Sequence, residues 1–349
     1  MKYHYSRKEG WLGNPCGLVY FKDRYHLFFQ VNPDQPRFGP MHWGHVVSDD
    51  LISWEECGIS ISPEDELSCN SGSAIVHGGK IWLFYTSLSH DHKETVHACC
   101  SDDGKNFKRC GNEPVIRVPF EGNAKLRDPF VFRHNGSFRL IAGSGNDGIA
   151  KVLQYRSDDL INWEYMGELL SDGRFGSVIE APQIVQSDGK YIFIIQSEKH
   201  FPTKVLFGTG DYDGESFIFD DAEEPFKPVE LGSDFYSPVT LEESDGRVVL
   251  MAWLFSMKMN SRAITCPREL YVSGRGEVIL QPVEELRNRL VKESRFVSYA
   301  SGRLRVQFEG HTLFDKAYRE CPGMQVLEDV GTVEVFLDGG KENISVFIC

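Results

Sequence analysis

Two acidic residues and one amide stand at equivalent places in a recurring sequence pattern, and such groups can act together on one bond. Asp128 lies in Arg-Asp-Pro, Glu180 lies in Glu-Ala-Pro, and Asn14 lies in Trp-Leu-Gly-Asn-Pro. Each motif stands about ten residues ahead of an apolar run of the kind that forms a buried β-strand. Carboxylates that meet at one place are typical of proton-transfer chemistry.

The pattern is a repeat of roughly 55 residues, and five copies follow one another. Each copy has a motif of this kind, a hairpin turn, an apolar run and, in four copies, an aspartate followed four residues later by an aromatic residue. The five motifs are Trp11–Pro15, Ser71–Ser73, Arg127–Pro129, Glu180–Pro182 and Tyr236–Pro238. Units of this length with several short strands predict an all-β protein built as a five-bladed β-propeller.

A propeller places the same position of every blade at its central channel. We therefore expect five side chains to converge there, namely Asn14, Ser71, Asp128, Glu180 and Asp234. The recurring prolines suit an innermost edge strand, because proline cannot donate a hydrogen bond to a neighbouring strand.

Composition excludes several classes of function. The 349 residues carry a formal net charge of −14, which argues against nucleic acid or an anionic membrane as a partner. Aromatic residues make up 12% of the chain, which suits both strands and surfaces that stack on sugars. The first ten residues contain no apolar segment and no apolar run approaches about 18 residues, so the sequence predicts neither a signal peptide nor a membrane span. Nine cysteines without a Cys-x-x-Cys motif favour reduced thiols and a cytoplasmic location.

Two weaker motifs predict no cofactor and no metal. The segment Gly143–Gly148 matches the glycine pattern of dinucleotide-binding loops, but the strand-like segment Ala150–Tyr155 follows it where such loops need a helix. His90 and His92 lie close together without a third ligand, which is typical of a solvated loop.

Several further segments carry a family resemblance. They read Trp-Leu-Gly-Asn-Pro-Cys-Gly from Trp11, Gln-Val-Asn-Pro from Gln30, Trp-Gly-His-Val-Val-Ser-Asp-Asp-Leu-Ile-Ser-Trp from Trp43 and Asn-Ser-Gly-Ser-Ala from Asn70. With Arg-Asp-Pro and Glu-Ala-Pro in the same order, the chain resembles glycoside hydrolase family 32, the β-fructosidases that include invertase, inulinase and levanase. The resemblance covers about residues 5 to 290.

The resemblance implies a glycoside hydrolase that acts on β-fructofuranosides such as sucrose, sucrose phosphate or short fructo-oligosaccharides. It implies that Glu180 is the general acid and base, and that Asp128 stabilises the cation-like transition state. The implied substrate-binding residues are Trp11, Gln30, Phe38, Trp43, Ser71, Arg127 and Trp253. Paired carboxyl groups about 5–5.5 Å apart are the arrangement that retaining glycosidases use.

The chain departs from the family at the nucleophile. The attacking aspartate of the family aligns with Asn14, and its neighbouring asparagines align with Gly13 and Cys16. An amide carries no negative charge and forms no stable glycosyl ester. Four alternatives follow: weak hydrolysis, an altered reaction in which water or another carboxylate attacks, a different glycoside, or a fructoside-binding protein without turnover.

The boundaries follow from the repeat and the resemblance. We expect the propeller at residues 1–280, a linker helix at 281–290 and an abridged C-terminal β-sandwich at 291–349. The sequence does not indicate an oligomeric state.

Overall fold

The structure is a computed structural model, and it describes residues 1–119, 125–200 and 205–348. Five sheets, each with four antiparallel strands in its main path, form the blades of a propeller. The innermost strands of neighbouring blades contact one another in a closed ring, and the first blade contacts the fifth. The predicted all-β propeller is therefore confirmed.

The blades follow the chain in order. Blade one contains β1 (Trp11–Phe21), β2 (Arg24–Asn32), β3 (His42–Ser48) and β4 (Glu55–Ile61). Blade two contains β5 (Ser68–His77), β6 (Lys80–Leu88), β7 (Glu94–Ser101) and β8 (Lys108–Arg109). Blade three contains β9 (Lys125–His134), β10 (Ser137–Asn146), β11 (Ile149–Ser157) and β12 (Glu164–Asp172). Blade four contains β13 (Ile179–Ser187), β14 (Lys190–Ser197), β15 (Val205–Tyr212) and β16 (Phe217–Phe219), after a 3₁₀ helix at Gly173–Phe175. Blade five contains β17 (Phe235–Glu242), β18 (Val248–Ser256), β20 (Arg268–Val272) and β21 (Val278–Pro282), and β19 (Ser261–Ile264) pairs with β18.

In blades three and four, the hairpin turns between the first two strands have the conformation that their sequences predict. Asn135 and Gly136 both have positive φ, 47° and 80°, and so do Asp188 and Gly189, at 51° and 80°. Two successive residues of positive φ match the right-handed twist of the flanking strands. These turns set the register of each blade.

Each innermost strand carries an irregularity in strand pairing at its recurring motif. The shifts in register fall around Asn14, Ser71, Asp128, Ala181 and Ser237. The last three of these residues precede a proline and have φ of 53°, 44° and 44°. A bulge leaves one residue unpaired and rotates its neighbours. Their side chains therefore no longer alternate between the two faces of the strand in the normal way. The motif of each blade is thus directed to the end of the channel.

The hydrophobic core lies between adjacent blades. In blade four, Ile192, Phe193, Ile194 and Ile195 of β14 have no exposed surface. Ile192 and Ile194 belong to a cluster with residues of blade five, and Phe193 and Ile195 belong to a cluster with residues of blade three, so both faces of this strand are covered. This rigid packing supports the loops and bulges at the channel mouth.

Two three-stranded sheets follow the propeller and share one core. They contain β22 (Val297–Ala300), β23 (Arg303–Phe308) and β24 (His311–Ala317), then β25 (Met324–Asp329), β26 (Thr332–Leu337) and β27 (Glu342–Phe347). The segment expected to form a linker helix contains a 3₁₀ helix at Glu284–Arg289. The two sheets form the small β-sandwich that the sequence predicts, and residue 349 lies outside the described residues.

A buried ionic cluster joins the sandwich to the propeller. Arg268 of blade five has no exposed surface, and its guanidinium lies 2.9 Å from Glu230 and 3.1 Å from Glu334. His4 lies 3.2 Å from Glu334 and 3.0 Å from Asp329. The carboxylates raise the pKa of His4 to about 9, although burial opposes that shift. The cluster therefore ties the N-terminal segment, blade five and β26 together.

We expect Glu334→Gln to lower the free energy of unfolding by about 1.5–3 kcal/mol, the contribution of hydrogen bonds to charged groups, because Arg268 and His4 lose the carboxylate that they share and keep only Glu230 and Asp329 as counter-charges. Urea denaturation at pH 7 measures the change. Asp315→Asn is the control, because its partner Arg303 is solvent-exposed and such surface pairs contribute about 0–1 kcal/mol. Equal small effects of both variants would contradict the prediction.

Candidate active site

The recurring motifs line one cavity of about 470 Å³ at the end of the channel. Its wall includes Asn14, Gln30, Phe38, Asn70, Ser71, Thr86, His92, Glu94, Lys125, Arg127, Asp128, Glu180, Gln196 and Tyr236. Four of the five residues that were expected to converge, Asn14, Ser71, Asp128 and Glu180, therefore do so. Polar groups converge here in a cavity large enough for a small sugar.

The expectation for Asp234 is wrong. Its carboxylate accepts hydrogen bonds from the backbone N–H of Phe347 at 2.9 Å and from the Ser233 hydroxyl at 2.9 Å, so it is directed to the C-terminal sandwich. Tyr236, two residues later, is the residue of blade five that lines the cavity in its stead. Tyr236 stands two residues before Pro238, as Glu180 stands before Pro182, and the irregularity in strand pairing follows each residue at the same place. Tyr236, and not Asp234, is therefore the counterpart of Glu180 in the repeat.

Glu180 is held by three donors. The Arg127 Nη1 donates to Oε1 at 3.0 Å, while Gln196 Nε2 and the Tyr236 hydroxyl donate to Oε2 at 2.8 Å and 2.7 Å. The side chain keeps 25% of its surface exposed. The carboxyl group thus has a set orientation and remains reachable from the cavity. Burial raises the pKa of Tyr236 well above its ordinary value, and the negative charge of Glu180 makes a smaller contribution in the same direction. The hydroxyl of Tyr236 therefore stays a donor.

Arg127 bridges two carboxylates. Its second nitrogen, Nη2, lies 2.5 Å from Glu94 Oε1, and Glu94 also accepts the backbone N–H of Leu126 at 3.0 Å. Burial lowers the pKa of Arg127, but the nearby carboxylates outweigh that effect and raise it. A planar guanidinium that binds on two sides has little freedom to rotate. Glu94 therefore positions Arg127, which in turn positions Glu180.

Asp128 is held from its backbone and from its side chain. Its N–H donates to the Thr86 hydroxyl at 2.9 Å, and its Oδ2 accepts the backbone N–H of Ala181 at 2.9 Å. Burial raises the pKa of Asp128 to about 7, with a further contribution from the negative charge of Glu180 and an opposing one from Arg127. A neighbouring negative charge commonly raises the pKa of a carboxyl group in this way.

Asn14 lies in the wall of the same cavity as the two acids. Its Nδ2 donates to the Ser71 hydroxyl at 3.2 Å, and its backbone carbonyl accepts the thiol of the fully buried Cys16 at 3.3 Å. A Cβ at Gly13 would lie 3.0 Å from the Cβ of Gln30, which is tighter than most such contacts. The three substituted positions are therefore packed around one another and around Gln30.

Aromatic side chains border the cavity on one side. Phe38 is 69% exposed at the rim, and its ring lies 6.5 Å from that of Trp11. Trp11 also contacts Trp253 at 6.2 Å, and the Arg262 guanidinium covers its ring at 3.6 Å. Trp253 contacts Tyr236 at 5.9 Å. Phe38 and Tyr236 line the cavity itself, and ring contacts through Trp11 and Trp253, which lie outside its lining, connect the two.

The expectation that Trp43 contacts substrate is wrong in this structure, because its side chain has no exposed surface. Its Nε1 donates to the carbonyl of Asn70 at 2.9 Å. Trp43 therefore supports the cavity wall from behind. The sequence repeat does not indicate that Trp43 is buried, because Trp43 lies on a strand whose two faces are both covered.

Four residues that hold Asp128, Arg127 and Glu180 in place were not predicted: Thr86, Glu94, Gln196 and Tyr236. Two of them had a signal in the repeat. Gln196 stands five residues after the start of its apolar run, at the same place as Gln30, and Tyr236 lies in the fifth motif itself. Glu94 had no such signal, because only the packing of blades two and three brings it to Arg127.

Asp128→Asn is expected to stabilise the protein at pH 8. The raised pKa of Asp128 means that ionisation costs stability in the folded state, and this cost appears between about pH 4 and pH 7 as pH rises. Asparagine keeps an acceptor for Ala181 and carries no charge. The gain in the free energy of unfolding should be about 1–3 kcal/mol above pH 7 and vanish below about pH 4.

Thermal unfolding of wild type and Asp128→Asn at a series of pH values measures this difference. Asp315→Asn, on the surface of the sandwich, serves as the matched control. A stability difference between wild type and Asp128→Asn that does not depend on pH would contradict the assignment.

No group of three metal-ligating side chains occurs within residues 1–119, 125–200 and 205–348. In the same part of the chain, no helix is long and apolar enough to cross a membrane.

Comparison with known proteins gives a consistent result. Residues 4–282 match the model of the glycosyl hydrolases family 32 N-terminal domain. The sucrose-6-phosphate hydrolase of Bacillus subtilis is 30% identical over 319 residues, 82% of this chain and 65% of that protein. The levanase of the same organism is 28% identical over 82% of this chain and 47% of its own length. The chain thus spans less than two thirds of the length of these relatives.

Solved structures share the whole fold. A Bombyx mori β-fructofuranosidase, solved as a mutant in complex with sucrose, has a TM-score of 0.87 at 26% identity, over 99% of this chain and 88% of that one. A sucrose-6-phosphate hydrolase of Lactobacillus gasseri has a TM-score of 0.85 at 19% identity, over 100% of this chain and 88% of that one. The likeness extends through the propeller and the C-terminal sandwich.

Proposed function

The chain belongs to glycoside hydrolase family 32, and we propose that it cleaves β-fructofuranosides in the cavity between Asn14, Asp128 and Glu180. One observation carries this proposal: Glu180 is held by three donors in a cavity that it shares with a second acid of raised pKa. Binding alone has little need of a carboxyl group so placed.

Glu180 is the general acid and base. It gives a proton to the leaving oxygen as the bond to the anomeric carbon breaks, and it later takes a proton from the water that attacks. Asp128 accepts hydrogen bonds from fructose hydroxyls and stabilises the cation-like transition state. Gln30, Ser71 and Arg127 bind the same sugar, and Trp11, Phe38 and Trp253 form the apolar side of the pocket.

Asn14 limits the rate of this reaction. The amide cannot form the covalent ester of a retaining mechanism, so water or another carboxylate must supply the nucleophile. The substitution also favours a second candidate function, a fructoside-binding protein that retains the pocket and lacks turnover.

The substrate is a small fructoside such as sucrose, sucrose 6-phosphate or a short fructo-oligosaccharide. Relatives named as sucrose-6-phosphate hydrolase and levanase support this class. The eight described cysteines are free thiols, which supports the cytoplasm as the compartment.

Incubation with a panel of fructosides tests the proposal. Sucrose, sucrose 6-phosphate and 1-kestose are supplied, and released fructose and the configuration of the product are measured. Release of fructose that Glu180→Gln removes supports the enzyme. Saturable binding of a fructoside with no release supports the binding protein, and the absence of both contradicts the proposed function.

A further inference from the structure

Glu94 is a buried carboxylate in the cavity wall to which the proposed reaction gives no step. It begins β7 of blade two and is 7% exposed. Its Oε1 accepts a hydrogen bond from Arg127 Nη2 at 2.5 Å, and its Oε2 accepts the backbone N–H of Leu126 at 3.0 Å. A buried carboxylate that is ion-paired and hydrogen-bonded on both oxygens is held in its charged form. Its negative charge therefore acts on the groups around it.

The guanidinium of Arg127 is shared between Glu94 and Glu180. Its Nη1 lies 3.0 Å from Glu180 Oε1, while Nη2 binds Glu94. A general acid must carry a proton when the substrate arrives, but a cation in contact with a carboxyl group favours the form that has lost it. Gln196 and Tyr236 donate two further hydrogen bonds to Glu180 and favour its ionised form as well. These three contacts by themselves oppose the use of Glu180 as an acid.

The charge of Glu94 offsets this effect. With Glu94 ionised, the guanidinium and the two carboxyl groups carry a single negative charge when Glu180 is ionised, and no net charge when it is protonated. Without the charge of Glu94, the same groups would be neutral when Glu180 is ionised and positive when it is protonated. Glu94 therefore favours the protonated Glu180. A charge this close to a carboxyl group commonly moves its titration by about 1–3 pH units.

Asp128 experiences the same charge. Burial raises the pKa of Asp128 to about 7, the charge of Glu180 adds to the rise, and the charge of Glu94 makes a smaller contribution in the same direction. Loss of the charge of Glu94 should thus lower the pH at which both acids of the cavity titrate.

The other titratable groups of the wall act less directly on this pair of acids. Among the described residues they are His92, Lys125 and Tyr236. His92 and Lys125 are exposed, so solvent screens the charges that they carry. Tyr236 stays neutral, because burial raises its pKa well above the ordinary value. Glu94 is the wall group that is both charged and buried against Arg127.

We infer that Glu94 sets the pH range in which the site works, because its charge, acting through Arg127, keeps the proton on Glu180 until the leaving oxygen takes it. Glu94 is in this sense a positioning residue, and no atom of Glu94 enters the reaction. The inference rests on the proposed function, since it takes Glu180 as the general acid.

The pH profile of kcat/KM for sucrose tests the inference. In Glu94→Gln we expect the whole profile to move to lower pH by about one unit or more. Glu94→Ala removes the same charge without placing an amide N–H against the donors of Arg127 and Leu126, and its profile should move in the same direction. Glu94→Asp keeps the charge, so its profile should stay at the wild-type pH even if its rate falls. Glu113→Gln is the matched control, because its carboxylate forms an exposed ion pair with Arg117 that solvent screens.

A second measurement follows the proton on Glu180 without turnover. Protein labelled with ¹³C at the glutamate carboxyl groups is titrated by NMR, and the signal of Glu180 is identified by its absence in Glu180→Gln. The pH midpoint of this signal should be lower in Glu94→Gln and Glu94→Ala than in wild type by about one unit or more, and unchanged in Glu113→Gln.

The outcomes separate the inference from the proposed function. If the Glu94 variants lower kcat/KM equally at every pH and leave the profile in place, the proposed function stands, and the inference is overturned because Glu94 is then only structural. If wild type releases no fructose at any pH, the proposed function fails and the NMR titration decides the inference. A lower midpoint in the variants without the charge supports it, and an unchanged midpoint overturns it.

Discussion

Fructoside turnover is expected to fall by about a thousandfold or more in Glu180→Gln, within the range that general acid–base groups contribute. Glutamine keeps the shape of the side chain but cannot protonate the leaving oxygen. Arg127 retains its ion pair with Glu94 in this variant, so the wall of the cavity should persist. Initial rates of fructose release at saturating sucrose and at low sucrose measure the loss.

Two comparisons distinguish proton donation from a structural role. A fructoside with a phenol of low pKa as leaving group needs less help from an acid, so its rate of cleavage should fall far less in Glu180→Gln than that of sucrose. Glu198→Gln alters an exposed glutamate of the same blade and should leave both rates unchanged. Equal losses with both leaving groups would show that Glu180 does not act as the acid.

The second large effect is expected from Asn14→Asp, which should raise fructoside hydrolysis by a factor of tens or more, each tenfold being about 1.4 kcal/mol of barrier. The substitution places a carboxylate across the bond from Glu180, the arrangement that a retaining mechanism requires. The Ser71 hydroxyl, now bonded to the amide of Asn14, can donate to the new carboxylate.

The single substitution is a cleaner test than a change of all three residues of the motif. A Cβ at Gly13 would press on Gln30, which is itself a proposed substrate-binding residue, and Cys16 is fully buried among apolar side chains. Asparagine at either place would disturb the pocket that the test is meant to preserve. Asn14→Asp changes one group without adding an atom to the chain.

Asn70→Asp is the matched control, because it makes the same chemical change in the wall of the same cavity. It should not raise the rate, since it does not restore the carboxylate beside Pro15. A wild-type protein that already cleaves fructosides at the rate of an ordinary glycosidase, with Asn14→Asp slower, would contradict the role assigned to Asn14. In that case the site uses a different nucleophile.

Local sequence determined the fold and the main acids of the site. The two residues of a turn such as Asn135-Gly136 determine its conformation. The apolar composition of a run such as Tyr191–Ile195 determines that it forms a buried strand. Because the same local pattern recurs five times, the sequence also determined that equivalent positions meet at one channel. Asn14, Ser71, Asp128 and Glu180 were placed together by that symmetry alone.

The tertiary structure decided the contacts that the repeat does not encode. Asp234 lies two residues before the position that lines the cavity, and its carboxylate accepts the N–H of Phe347 in the C-terminal sandwich, more than a hundred residues away in sequence. Glu94 reaches Arg127 only because blades two and three pack side by side. Such contacts depend on the distance between chain segments after folding, and no local pattern of residues encodes that distance.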